Sequence, residues 1–298
     1  MTAVGFAVLG PVEVTAGGLP VGVGGPRTRA VLARLVLAAG HVVAAESLAG
    51  ELWPDLDPAR AAANLQVRVA ELRRALGRAG VGDRLVTRPP GYLLVVSPQE
   101  VDAARFDQLA ARGRALLADG DAAAAAACLQ EALGLWRGPP LADIGEVAWA
   151  RAEAARLGEA RLAAVECHAQ ARLDCGQAGE LIAELEVLTG EHRLRERLWG
   201  LRMLALYRSG RQAEALGAYQ QLRTILVDEL GIEPSTPVKW SGRPVRPASG
   251  GRRMRRGHGV PGLARLGPPG ARRGPGRCAG SGGAGQPDGP GPGCSSRL

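Results

Sequence analysis

Residues 57–96, DPARAAANLQVRVAELRRALGRAGVGDRLVTRPPGYLLVV, decide the fold. The stretch opens on Asp57-Pro58. An acceptor side chain followed by proline starts a helix, because the carboxylate caps an orphan N–H and proline needs none at the first helical position. On a wheel of 100° per residue, Ala61, Leu65, Val69, Leu72 and Leu76 fall within about 80° of one another and predict a core-facing stripe. The opposite arc carries Arg60, Asn64, Val67, Glu71 and Arg74, with Arg68 and Arg73 on its flanks. This helix is expected to end near Gly77. Then Leu85-Val86-Thr87-Arg88 and Tyr92-Leu93-Leu94-Val95-Val96 flank Pro89-Pro90-Gly91, which predicts a short hairpin.

Towards the N-terminus, residues 5–14 are β-rich with a turn at Gly10-Pro11, and Leu19, Val21 and Val23 continue as short strands around Gly17-Gly18. A first helix begins after Gly24-Gly25-Pro26 and ends at Gly40, and a second runs roughly from Ala45 to Trp53, stopped by Pro54. Small sheet, three helices, then a hairpin is the element order of a winged helix.

Towards the C-terminus, the pattern is helical from Val101 to about Leu230. Breaks recur at Asp119-Gly120-Asp121, Cys175-Gly176-Gln177 and Ser209-Gly210-Arg211. The spacing of the last two matches the period of tetratricopeptide repeats. The longer first interval contains Trp136-Arg137-Gly138-Pro139-Pro140. Three helical hairpins with an inserted loop after the first are therefore expected, stacked because no single hairpin buries its own apolar face. The fold class is mainly α: a winged helix over residues 1–97, an all-α tetratricopeptide-like domain over 98–238, and a Gly/Pro/Arg-rich tail over 239–298. The tail holds 17 Gly and 9 Pro, a composition expected to be disordered.

The net charge of +8 misleads until it is divided. Residues 239–298 hold 12 Lys and Arg against one acid, whereas residues 1–97 hold 10 against 7 and residues 98–238 hold 15 against 21. A DNA-binding reading therefore rests on local pattern in residues 1–97. On the outer arc of the third helix, arginine suits guanine or phosphate, Asn64 suits adenine, and Glu71 suits cytosine N4. A carboxylate facing DNA repels phosphate unless it reads a base. Thr87 and Arg88 place a hydroxyl and a guanidinium on the wing. The candidate DNA-binding residues are thus Arg60, Asn64, Val67, Arg68, Glu71, Arg73, Arg74, Thr87 and Arg88. An ordinary solvated face is the competing reading of the helix alone, and the hairpin shifts the balance.

Other chemistries find little support. The five cysteines, Cys128, Cys167, Cys175, Cys278 and Cys294, form no CxxC pair, so no structural zinc is expected, and Cys167, His168 and Cys175 are read as ordinary helix residues with buried thiols. Four scattered histidines, His41, His168, His192 and His258, accompany no nucleophile–base motif, so no enzyme is expected. Lys239 is the sole lysine, which excludes a GxxxxGK[ST] phosphate loop. No cofactor is expected. No run of 18 apolar residues exists and Met1–Glu13 has no basic leader, so a cytoplasmic, nucleoid-associated protein with no membrane partner is expected.

The span 5–238 resembles the actinomycete antibiotic regulatory protein (SARP) family. The motifs that carry the resemblance include Val8-Leu9-Gly10-Pro11-Val12-Glu13-Val14, Gly25-Pro26-Arg27 with Arg29, and Leu72-Arg73-Arg74-Ala75-Leu76. Thr87-Arg88-Pro89-Pro90-Gly91-Tyr92, Val101-Asp102 with Arg105-Phe106, and Leu135-Trp136-Arg137-Gly138 continue the order. Leu194-Arg195-Glu196-Arg197-Leu198-Trp199, the segment from Ala205 to Leu216, and Glu229-Leu230-Gly231-Ile232-Glu233-Pro234 complete it. The resemblance implies an OmpR-type winged helix joined to a bacterial transcriptional activation domain. It implies binding to promoter direct repeats by two protomers lying head to tail, recruitment of RNA polymerase or its sigma factor, and activation of antibiotic-biosynthesis genes. The alternative is a helical-repeat scaffold whose winged helix reads no DNA. The resemblance stops near Val238, and the tail is read as an out-of-frame translation of GC-rich DNA or a diverged terminus. Its functional alternative is a basic arm adding salt-dependent, non-specific DNA affinity.

Overall fold

The computed structural model describes residues 3–38, 40–145 and 147–235. The tail expected to be disordered, residues 239–298, lies outside them. Three antiparallel strands open the chain: β1 (Val4–Ala7), β2 (Glu13–Ala16) and β3 (Leu19–Val21), in the order β1-β2-β3. Phe6 pairs with Val14, and both are buried. Alternation along β1 puts Val4 and Phe6 on the core side.

Three helices follow, α1 (Pro26–Leu37), α2 (Ala45–Leu52) and α3 (Pro58–Arg78), and then the hairpin β5 (Leu85–Arg88) and β6 (Gly91–Leu94). Between α1 and α2 lies an unexpected strand, β4 (Val43–Ala44), which pairs with β6 to give a second sheet of order β4-β6-β5. Two residues are too few to show alternation. The pairing is close: a Cβ added at Gly91 would sit 1.9 Å from the Val43 carbonyl oxygen and 2.7 Å from the Ala45 nitrogen. Glycine at 91 is what lets the wing approach the body of the domain.

Six helices complete the described chain: α4 (Asp102–Ala118), α5 (Ala122–Leu133), α6 (Ala148–Asp174), α7 (Ala178–Glu191), α8 (Glu196–Arg208) and α9 (Gln212–Leu230). They form the three expected hairpins, with the segment after α5 inserted before the second. Gly120, Gly176 and Gly210 stand at the same place in each hairpin, all with positive φ. After each glycine the next N–H reaches back five residues, Asp121 to Leu116, Gln177 to Arg172 and Arg211 to Leu206. This is the closing bond of a helix end that needs a left-handed residue, so glycine sets the repeat.

Two apolar clusters form the interior. One runs from Val4 through the three N-terminal helices and the wing into α4, α5 and the first part of α6, ending at Cys167. The other joins Leu162, Ala169 and Leu173 of α6 to α7, α8 and α9. The first cluster is continuous across residues 97 and 98, and polar contacts reinforce it there. Asp102, 9 % exposed, accepts the N–H groups of Val8 and Leu9 at 2.9 Å and that of Ala103 at 2.7 Å. Phe6 forms a parallel bridge with Val101. The inserted segment folds back on the same turn: Arg137 N–H donates to Leu9 and Leu141 N–H to Val8. Asp143 accepts from the Val12 N–H at 2.8 Å and pairs with Arg29 at 2.7 Å. Burial raises the Asp102 pKa, against the pull of these N–H donors and of Arg137 at 3.7 Å.

Cys167 is buried as expected, and so is Cys128, but Cys175 is exposed: it follows the last helical residue of α6, at the turn into α7. No group of three or more His, Cys, Asp or Glu side chains suited to a metal ion occurs among the described residues. No described helix is long and apolar enough to cross a membrane.

Candidate nucleic-acid interface

The helix α3 carries most of the candidate site. Its start is set by Asp57, whose carboxylate accepts from the Arg60 N–H at 3.1 Å with Pro58 in the first turn. Ala61, Leu65, Val69, Leu72 and Leu76 are all buried, joined by Ala75. The stripe fixes which side of the helix faces outward. Arg60, Val67, Arg73 and Arg74 are exposed there, and Asn64, Arg68 and Glu71 are half-buried. Val67, 49 % exposed, is an apolar side chain in the middle of this charged face. Such a group suits a thymine methyl.

The structure brings the expected residues together in two groups. In the first, Arg68 Nη1 donates to both Glu71 oxygens, at 2.9 and 2.8 Å, and the Thr28 hydroxyl donates to Oε2 at 2.8 Å. Thr28, on α1, is fully buried. The Thr28 hydroxyl and the Arg68 guanidinium hold the Glu71 carboxyl below the usual carboxylate range, with a smaller pull from Arg74 and some opposition from burial. Glu71, expected to offer its carboxylate to a base, is thus engaged within the protein.

In the second group, Arg73 crosses to the wing. Its Nη2 donates to Thr87 Oγ1 and its Nε to the Leu85 carbonyl at 3.5 Å, while the guanidinium lies 6.0 Å from the centre of the Tyr92 ring. Thr87 faces Tyr92 across the hairpin and Arg88 faces Gly91. Arg73 therefore ties the wing to the helix, and Arg88 stands exposed at the hairpin tip. Arg60 is paired with Asp57 at 3.4 Å but remains largely exposed. Arg78, absent from the expected set, is exposed one turn after Arg74. Continuing the same wheel past Gly77 puts it on the outward arc. Thr28 had no such signal, since its partner lies 43 residues away.

A small sheet, three helices with an arginine-faced third and a wing tied to it, mounted on stacked helical hairpins, define a transcriptional regulator of the winged-helix and helical-repeat class. Comparison with known proteins makes the class specific. Residues 101–243 match the family model described as the bacterial transcriptional activator domain. The chain is 38% identical over 239 residues to the regulatory protein DnrI of Streptomyces peucetius, covering 78% of this chain and 88% of that one. It is 39% identical over 236 residues to the transcriptional regulatory protein EmbR of Mycobacterium tuberculosis, covering 78% of this chain. A solved structure of Mycobacterium tuberculosis EmbR in complex with a low-affinity phosphopeptide superposes with a TM-score of 0.76 at 39% identity, over 80% of this chain and 63% of that one. The chain belongs to the SARP family of transcriptional regulators. It spans 61% of the length of EmbR.

Proposed function

We propose that the chain activates transcription of antibiotic-biosynthesis genes by binding promoter direct repeats as a head-to-tail pair and recruiting RNA polymerase or its sigma factor. In this reading residues 1–97 are the DNA-binding domain and residues 98–238 the activation domain, acting at the nucleoid in the cytoplasm. α3 enters the major groove, where Asn64, Val67, Arg68 and Arg74 reach base edges, and Arg60 and Arg88 meet phosphates or, from the wing, the minor groove. Arg73 and Thr87 set the wing, and Glu71 stands behind Arg68. The observation that carries the reading is the outward face of α3: arginines, an amide and one exposed valine, held at a fixed angle by a buried stripe beneath and by the tie from Arg73 to the wing. The activating contact is assigned to the helical hairpins because their sequence matches a transcriptional activator domain. Their excess of acid over base suits a basic surface on the transcription machinery.

The test is a salt-titrated selection of random duplexes by the full chain. Enrichment of a direct repeat with half-sites about one helical turn apart, weakening with salt, is the expected result. No enrichment of any sequence, with no affinity even at low salt, would refute the reading and leave a helical-repeat scaffold.

A further inference from the structure

Glu71 occupies a place on α3 where a carboxylate is hard to reconcile with phosphate unless it reads a base or serves another side chain. Its contacts decide between these. Both oxygens already accept hydrogen bonds, from Arg68 Nη1 and from the Thr28 hydroxyl. Thr28 is fully buried at the start of α1, so the anchor of this chain of contacts is the core and not the surface. The bonds from Arg68 use Nη1 alone, and no other partner of Arg68 occurs among the described residues. The remaining edge of the guanidinium, Nη2 with Nε, carries two parallel N–H groups able to donate together to guanine O6 and N7.

Resting on the DNA-binding reading above, we propose that Glu71 is a positioning residue: anchored by Thr28, it locks the Arg68 guanidinium so that Arg68 reads one guanine in each half-site. An arginine held in advance loses less rotamer freedom on binding and presents a directional fork in place of a mobile charge. Glu71 also cancels the charge of Arg68 at long range, which trades phosphate attraction for base discrimination. The specificity at that base pair is therefore set by three residues, only one of which touches DNA.

The test uses the full chain and its selected binding site, with each base pair of one half-site varied in turn. Arg68→Ala is expected to erase the preference at one G·C pair. Glu71→Gln and Thr28→Val are expected to weaken the preference at that same pair, by about tenfold for Glu71→Gln. In an Arg68→Ala background, Glu71→Gln is expected to change nothing further. A Glu71→Gln effect at a different base pair, or one of undiminished size in the Arg68→Ala background, would overturn the proposal in favour of direct reading by the carboxylate. Should Thr28→Val fail to fold, the pair of changes on α3 still decides. Selection of no sequence by the unaltered chain would remove the DNA-binding reading and this proposal together, whereas a selected site with the wrong pattern removes this proposal alone.

Discussion

Asp102 is the sharpest place to test how the winged helix is fastened to the helical hairpins. Its carboxylate takes the buried N–H groups of Val8 and Leu9, 94 and 93 residues earlier in the chain, together with that of Ala103. Asp102→Ala leaves the first two without an acceptor in a place that water does not reach. Each orphaned buried N–H costs about 1–3 kcal/mol, so for the two a loss of roughly 2–6 kcal/mol is expected. Asp102→Asn keeps one acceptor oxygen and turns an amide N–H₂ towards a donor, so it is expected to cost about 1–3 kcal/mol. The pH dependence has a particular sign. Burial raises the pKa of Asp102 above its ordinary value of 3.8. A carboxyl whose folded pKa exceeds its unfolded one contributes stability that is complete below the unfolded value and declines as pH rises through the folded value. The advantage of the native chain over Asp102→Asn is therefore expected to shrink as pH rises from about 4 towards neutrality. Urea titrations of both variants between pH 4 and 7 measure this. A loss below about 1 kcal/mol for Asp102→Ala, or an advantage over Asn that grows with pH, would refute the reasoning.

Two residues earlier the sign reverses. Glu100 is held below the carboxylate range chiefly by Arg84, to which it is paired at 2.8 Å, so Glu100→Gln is expected to cost about 1 kcal/mol at neutral pH. That cost should fade as pH drops through the lowered pKa, which the same urea titrations would show. Gly91→Ala places a methyl group against the backbone of β4 and is expected to cost about 3 kcal/mol or more by overpacking, with melting temperature as the readout. Because the wing is displaced, DNA affinity should fall further than stability alone accounts for.

What the residues disclosed in advance follows the range of the interactions involved. The buried stripe of α3 and the hairpin turns of the repeats repeat a local period, so Leu65, Val69 and Gly176 could be placed from spacing alone. β4 could not, because Val43 and Ala44 become a strand only when β6 arrives beside them. Asp102 carried no local pattern either: its partners are amides on a distant turn, and a lone acid at a helix start usually signals capping and nothing more. The outer arc of α3 was correctly faced outward, yet its division of labour was hidden. Arg73 is turned to the wing and Glu71 to Thr28 by partners on other elements, and no helical wheel contains them. The segment around Trp136 was legible as an insertion, but not as the strap that folds back on Leu9 and Val8.

The long helix α6 has a further consequence. Its 27 residues extend about 40 Å, and it is the one element among the described residues that lends buried side chains to both apolar clusters. Leu157 and Ala164 belong to the first, Ala169 and Leu173 to the second. A fragment cut at residue 97 would slice through packed hydrophobic contacts, while a splice just after Cys167 would leave only Leu162 of the second cluster on its N-terminal side. α6 is thus a natural seam for chimeras: the DNA-reading end could be grafted onto a foreign helical array along a continuous rod, its register kept by the helix itself.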